Sequence, residues 1–221
     1  MILDRRAFLA GTCCVALTPP AALAASDRRF AILRGSDEVG AQRLSVRRTP
    51  EGIEARTEID IAVRFLGIAA YRYTLSSTEL WQGGRLVALD ASSDDDGEAG
   101  FVRARAEGER LRVDGSGFEG TLDRFCVPTS YWSKDFTRRR TWISTQTGVP
   151  LKVACATTGA VQVDGPRGPI AAERWLVTGE LELELYYAGD EWVGSAFEAG
   201  GEQAAIAPRV LAGELPRLGE T

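Results

Sequence analysis

Residues 53–65 have the sequence IEARTEIDIAVRF, and this stretch decides the fold. Its odd-numbered positions are apolar or threonine, whereas all of its even-numbered positions except Ala62 are charged. A period of two over so long a stretch predicts a β-strand with one face on a core and the other in water. A slip of one residue would exchange the two faces, so this strand should set the register of its sheet.

Shorter stretches on both sides repeat the pattern and are separated by turns. They cover residues 30–34, 39–48, 71–81, 85–92, 101–106, 110–114 and 115–122, and then 150–158, 161–164, 170–178, 181–187 and 192–197. Strands joined by such short connections pair as antiparallel neighbours, and so wide a sheet must twist and curl. The prediction is an all-β protein, a single large curved antiparallel meander of about a dozen strands that forms a partial or complete barrel.

The N-terminus has the features of a cleavable export signal. Arg5 and Arg6 precede an apolar run that Pro19 and Pro20 interrupt, and an A-x-A site ends at Ala24. These features predict a signal peptide over residues 1–24, and the arginine pair favours twin-arginine translocation over the general secretory route. We expect the twin-arginine export machinery and signal peptidase as partners, a periplasmic or secreted location, and no transmembrane segment in the mature chain.

The mature chain divides into a β domain at residues 25–200 and a C-terminal tail at residues 201–221. The tail is rich in Ala, Gly and Pro, which favours partial mobility. A short apolar patch at residues 206–211 could lie on the barrel.

The composition excludes several kinds of function. The net charge of -5 does not suit a nucleic-acid binder, which needs a basic face to neutralise phosphates. The chain contains no histidine, which removes Ser-His-Asp catalysis and the commonest zinc ligand. The adjacent carboxylates of the stretch DDDGE at residues 94–98 lack the alternate spacing of a calcium loop. We therefore expect no metal, no cofactor and no histidine-dependent catalysis.

Two cysteines, Cys126 and Cys155, remain after removal of the leader. An oxidising compartment permits a disulfide between them. Two buried free thiols are the alternative, because a sequence contains no information on Cβ geometry.

The irregular stretch at residues 125–142 is the strongest site candidate, because segments of this kind cross the open ends of barrels. Tyr131, Trp132 and Trp142 could contact a ligand, and the consecutive Arg138, Arg139 and Arg140 could clamp an anion. In the alternative interpretation the aromatic side chains plug the barrel and the arginines are solvated.

Glu79 and Trp81 form a second candidate, located near the end of a predicted strand. They could lie at the rim of a cavity. The alternative is that Trp81 is a core plug whose indole N–H donates to a nearby carbonyl.

Several short motifs together resemble a family of secreted bacterial proteins known only as a domain of unknown function. They are Val39-Gly40, the stretch FLGI at residues 65–68 followed by Tyr71 and Tyr73, Trp81 with Gly84 and Leu86, VDG at 113–115, PTSYW at 128–132, and Leu185 with Tyr187 before Trp192. The resemblance implies a curved antiparallel sheet, similar in shape to the periplasmic lipoprotein carriers, and implies no activity.

The sequence favours a non-catalytic periplasmic binding or carrier module for a small apolar or amphiphilic ligand. Two alternatives remain open. One is a histidine-free enzyme that uses carboxylate, tyrosine or arginine groups, and the other is a structural or interaction protein of the cell envelope.

Overall fold

The computed structural model describes residues 26–65 and 68–218, so the predicted signal peptide at residues 1–24 lies outside the described residues. The described residues contain no α-helix, and therefore none long and apolar enough to cross a membrane. The fifteen strands are β1 (Ser26–Arg34), β2 (Asp37–Thr49), β3 (Gly52–Phe65), β4 (Ile68–Gln82), β5 (Arg85–Asp95), β6 (Glu98–Glu107), β7 (Arg110–Gly115), β8 (Glu119–Asp123), β9 (Val127–Pro128), β10 (Thr141–Ile143), β11 (Pro150–Gly165), β12 (Gly168–Gly179), β13 (Leu183–Ala188), β14 (Glu191–Ala199) and β15 (Glu202–Ala212). A 3-10 helix, Lys134–Arg138, lies between β9 and β10.

All fifteen strands belong to one open, curved sheet, which confirms the predicted fold class. The strand order is β8-β7-β6-β5-β4-β3-β2-β1-β15-β14-β13-β12-β11-β10-β9, and every pair is antiparallel except β9 with β10. The meander follows from the short turns, since such turns connect only antiparallel neighbours. The pairing of β1 with β15 joins the first eight strands to the last seven and brings the two ends of the described chain together.

The strand that decides the fold occupies the centre of the first half. β3 pairs with β2 from Gly40 opposite Ile61 to Thr49 opposite Gly52, and with β4 from Ile53 opposite Trp81 to Phe65 opposite Ile68, in the register that its alternation requires. Ile53, Ala55 and Thr57 face inward and are buried. The predicted period of two therefore determines which side of the sheet is the core.

The C-terminal strand corrects the predicted boundary at residue 200. Residues 202–212 form β15, which is hydrogen-bonded to β14 on one side and to β1 on the other. Its composition, EQAAIAPRVLA, has too many small side chains for a period of two to be visible. β15 is stabilised mainly by its hydrogen bonds to its two neighbours, so its own sequence gives little indication that it is a strand. The structure also joins residues 150–158 and 161–164, predicted as separate strands, into β11 across a bulge near Gly159.

The concave side of the sheet is filled at one end and open at the other. Four tryptophans, Trp81, Trp132, Trp142 and Trp192, are buried to 2% exposure or less in the filled half. Farther along β3, Ile59, Ile61 and Val63 point to the same side but are only half-buried. The same inward face therefore contributes to a solid core and then to a cavity.

Candidate ligand-binding cavity

The open half of the sheet encloses a cavity of about 690 Å³. Its wall is mostly aliphatic and aromatic and includes Ile32, Val39, Ile59, Ile61, Val63, Tyr71, Tyr73, Leu75, Leu151, Leu181, Leu183, Phe197 and Ile206. The wall residues of β3 and β4 alternate with exposed ones such as Glu58 and Thr74, so the lining is the inward face of the strands. A volume of this size and a largely apolar wall that also carries polar side chains are typical of small-molecule sites.

The phenols of the cavity are uncharged at neutral pH. Burial raises the pKa of Tyr73 to about 12, although a hydrogen bond with Gln146 opposes the shift. Burial raises the pKa of Tyr71 to about 12 as well, and a hydrogen bond to Asp95 adds to the shift. These side chains therefore offer a ligand ring surface and a neutral hydroxyl.

Four buried hydroxyl side chains, Thr57, Ser77, Ser130 and Ser195, line the same cavity, and we call them the polar floor. Each is exposed by 3% or less, and the hydroxyl oxygens of Thr57, Ser77 and Ser195 have no hydrogen-bond partner among the described residues, whereas Ser130 lies beside the Glu79 carboxyl. Thr57 and Ser77 are direct cross-strand neighbours on β3 and β4. Buried polar side chains usually have a partner, so this group marks the cavity as more than a packing defect.

Glu79 lies two residues beyond Ser77 on the inward face of β4 and is completely buried. Its Oε2 accepts hydrogen bonds from Trp81 Nε1 at 2.8 Å and from Trp132 Nε1 at 2.9 Å. Burial raises the pKa of the carboxyl, and the neighbouring Ser130, Trp132 and Trp81 oppose the shift. Its other oxygen, Oε1, makes no hydrogen bond of good geometry among the described residues.

The structure therefore corrects the placement of Glu79 and Trp81 at the rim of this cavity, although Trp81 borders a smaller pocket of about 430 Å³. Trp81 stacks on Phe136 at a centroid distance of 5.2 Å and meets Trp132 edge to face at 6.0 Å. The alternative interpretation, a core plug, is the one that the structure has, with a carboxylate oxygen in place of the expected carbonyl as the partner of the indole. Neither Glu79 nor Trp81 lines the cavity of about 690 Å³.

The irregular stretch contributes both to the wall of the cavity and to a cluster of buried aromatic residues that we call the plug, namely Trp81, Trp132, Phe136 and Trp142. Trp132 and Trp142 are buried, and Trp142 Nε1 donates to the carbonyl of Phe136 at 3.3 Å. Tyr131 lines the cavity, and its carbonyl accepts a hydrogen bond from the Tyr187 hydroxyl at 2.9 Å. Among the aromatic residues predicted to bind a ligand, Tyr131 is thus the one that reaches the cavity.

The three consecutive arginines do not form the predicted clamp. Arg138 pairs with Asp135 at 3.2 Å, the guanidinium of Arg139 lies 5.2 Å from the centre of the Phe125 ring, and Arg140 is exposed. The stretch turns from a 3-10 helix into extended backbone at Arg139, so consecutive side chains point in different directions. Arg138 contributes instead to a separate polar cleft of about 610 Å³.

Both cysteines of the described chain are free thiols, so the disulfide alternative is not what the structure has. Cys126 is buried, and its thiol donates to the Asp123 carbonyl at 2.6 Å. Burial raises the pKa of Cys126 to about 12 and that of Cys155 to about 11. Neither thiol is activated as a nucleophile, since activation requires a lowered pKa. The described residues also contain no group of three or more acidic or thiol side chains that could hold a metal ion.

The polar floor was missed by sequence reasoning, although a signal exists. Thr57 was assigned to the apolar face of β3, and Ser77 follows Leu75 on the inward face of β4. Two polar residues at inward positions of adjacent strands, in register, indicate a polar patch inside the barrel.

The fold and the cavity define the chain as a β-barrel-like protein with an internal ligand-sized space. Residues 30–209 match the sequence profile of the domain of unknown function DUF6134, so the chain belongs to this family, and the predicted resemblance is confirmed. A crystal structure of a β-barrel-like protein of the domain of unknown function DUF1849 from Brucella abortus superimposes with a TM-score of 0.54. The alignment covers 83% of this chain and 94% of the other at 11% identity, a level at which the similarity concerns the fold alone. Among curated protein sequences none matches the chain.

Proposed function

We propose that the protein is a non-catalytic binding or carrier module that holds a small apolar or amphiphilic ligand in the cavity on the concave side of its sheet. The observation that carries the proposal is the 690 Å³ space with its largely apolar wall. Transfer of apolar surface from water into such a space is the main driving force for ligand binding.

The geometry favours an alkyl or polyprenyl chain over a compact polar ligand. Burial of one CH₂ group contributes about 0.8 kcal/mol, which corresponds to roughly a fourfold change in affinity. Affinity for a homologous series should therefore increase about fourfold per methylene until the chain fills the cavity. A polar substrate would gain little from Ile61, Val63 and Phe197.

A carrier role accounts for the arrangement better than catalysis does. The most strongly perturbed carboxyl in the filled half, Glu79, is covered by two tryptophans and contributes no wall to the cavity. A general acid or base must come within hydrogen-bond reach of its substrate. Glu79 instead anchors the plug.

The binding test uses straight-chain alcohols of six to twelve carbons, with affinity measured by calorimetry. Leu75→Trp places a larger side chain in the wall at a position that is 5% exposed. We expect it to weaken binding of the longest alcohols at least tenfold. Thr74→Trp, on the exposed outer face of the same strand, is the matched control and should bind like the wild type.

Two results would overturn the binding proposal. One is the absence of saturable binding for every chain length, together with a clean apo mass in native mass spectrometry of protein purified from its own cells. The other is equal affinity in Leu75→Trp and Thr74→Trp, which would place the ligand outside the cavity.

The location is also part of the proposal and rests on the N-terminal sequence. Replacement of Arg5 and Arg6 by lysine should retain the precursor in the cytoplasm of a bacterial host if the twin-arginine route exports the protein. Immunoblots of periplasmic and cytoplasmic fractions measure this. Unchanged export of the double variant would favour the general secretory route, and a cytoplasmic wild-type protein would contradict the location.

A further inference from the structure

The boundary between the filled core and the cavity is polar. Moving along β4 toward the core, the inward residues are Tyr73, Leu75 and Ser77, and then the sealed pair Glu79 and Trp81. On β3 the inward residue directly opposite Ser77 is Thr57. Hydroxyl groups therefore form the last layer that a ligand would meet before the plug.

These hydroxyls have unused hydrogen-bonding capacity. A hydroxyl group carries one donor and two acceptor sites, and those of Thr57, Ser77 and Ser195 make no hydrogen bond among the described residues. A buried polar group without a partner costs free energy, so an occupant that forms hydrogen bonds here gains more than an alkyl chain would. Ser130 belongs to the same layer and lies beside the Glu79 carboxyl.

The charged residues of the lining lie in more exposed positions. Arg34 is half-buried, and Glu182 and Glu198 are exposed. Among the described residues, no arginine or lysine that lines the cavity is buried. A carboxylate or ammonium headgroup at the polar floor would lose its hydration without gaining a counter-charge, and this loss is far more costly than the burial of a neutral group.

We infer that the cavity takes amphiphiles headgroup first and that Thr57 and Ser77, with Ser130 and Ser195, bind an uncharged headgroup capable of hydrogen bonding, such as an alcohol, ester or amide. The inference rests on the proposed function, since it specifies the ligand class and orientation within the same cavity. In the opposite orientation an alkyl chain would contact the hydroxyls and leave them without partners. The headgroup would then lie near Arg34 and Glu182.

The test compares decyl probes that differ only at the head. They are 1-decanol, decanoate, decyltrimethylammonium and 1-chlorodecane, which has no O–H or N–H group. With the full mature chain at pH 7.5, we expect 1-decanol to bind at least tenfold more tightly than decanoate or decyltrimethylammonium. Equal or tighter binding of either charged probe would overturn the inference.

Variants of the floor separate a binding role from a packing role. Ser77→Ala and Thr57→Val should each weaken 1-decanol by about 2- to 13-fold, the range expected for one hydrogen bond, and leave 1-chlorodecane unchanged. Ser77→Thr keeps a hydroxyl and should restore the preference for 1-decanol. Ser76→Ala, on the exposed outer face of β4, is the matched control.

The outcomes distinguish this inference from the proposed function. Equal losses for 1-decanol and 1-chlorodecane in Ser77→Ala would mean that the floor acts through packing, which overturns the inference. Unchanged 1-decanol affinity in both floor variants would mean that buried water satisfies these hydroxyls, which also overturns it. If the probes bind with the expected dependence on chain length but show no preference for a headgroup, the proposed function stands and this inference fails. If no probe binds, the proposed function fails first.

Discussion

Substitution of Glu79 tests how the plug is held. The carboxyl is completely buried and accepts hydrogen bonds from two buried indoles at 2.8 and 2.9 Å. Glu79→Leu removes the acceptor and leaves both N–H groups without a partner, at a cost of about 1–3 kcal/mol each. The free energy of unfolding should therefore fall by about 2–6 kcal/mol. Glu79→Gln keeps a carbonyl oxygen that can accept both bonds and should cost much less.

The dependence on pH provides the sharper measurement. Because burial raises the pKa of Glu79 above its ordinary value of 4.5, the folded state binds more protons than the unfolded state between the two pKa values. Stability from this group is fully present below about 4.5 and falls as the pH rises toward the folded pKa, by at most about 1.4 kcal/mol per pH unit. Glutamine does not titrate, so Glu79→Gln should gain stability relative to the wild type as the pH rises.

Urea denaturation followed by far-UV circular dichroism between pH 4 and 8.5 measures both effects. Glu58→Gln and Glu58→Leu, on the exposed outer face of β3, control for the loss of a carboxylate and should change stability little. A difference between wild type and Glu79→Gln that stays constant over this range would refute the raised pKa. Equal destabilisation by Glu79→Leu and Glu79→Gln would refute the role of the carbonyl oxygen as acceptor.

Three further predictions concern the plug, the sheet and the thiols. Trp132→Ala should lower the free energy of unfolding by about 3–5 kcal/mol in the same urea assay, because the ring is 1% exposed. A variant that stays stable but no longer binds 1-decanol would show instead that Trp132 covers the ligand. In Gly40→Ala the new Cβ would clash with the Asp60 carbonyl oxygen, so we expect a loss of about 1–3 kcal/mol in the free energy of unfolding. An unchanged urea midpoint would contradict this close approach of β2 to β3. Cys126 and Cys155 should react slowly with Ellman's reagent in the folded protein at pH 8, because their pKa values are about 12 and 11. In urea without reductant, the two thiols should release two equivalents of the thionitrobenzoate product. No release would reveal a disulfide.

The architecture was predictable wherever one strand contains its own signal. The alternation in residues 53–65 determines a face, a register and, with the short turns around it, an antiparallel meander. β15 was not predictable in this way, because its small side chains show no period and its place depends on hydrogen bonds to β1 and β14. Information of that kind lies in the neighbouring strands, not in the strand itself.

The site was predictable in part. The irregular stretch contributes to both core and cavity, since Trp132 and Trp142 are buried and Tyr131 lines the cavity. The direction of each aromatic side chain decides whether it lines the cavity or fills the core. Tyr131 adopts a positive φ of 61°, which the amino-acid sequence does not indicate. The clamp failed for a related reason, since the backbone changes from a 3-10 helix to an extended conformation at Arg139 and the three arginine side chains point in different directions.

The plug and the cavity share one residue of the polar layer that separates them, Ser130. Trp132 is held by Glu79, and Ser130 lies beside the same carboxyl while also lining the cavity. A ligand that binds only the folded protein stabilises it by about 2.7 kcal/mol at one hundred times its dissociation constant. If the headgroup contacts Ser130, part of that stabilisation should depend on Glu79. Substitution of Glu79 should therefore weaken ligand binding even though Glu79 does not line the cavity. The residues that fill the core also limit the depth of the cavity, so for the proposed ligand we expect core substitutions to change stability and binding together.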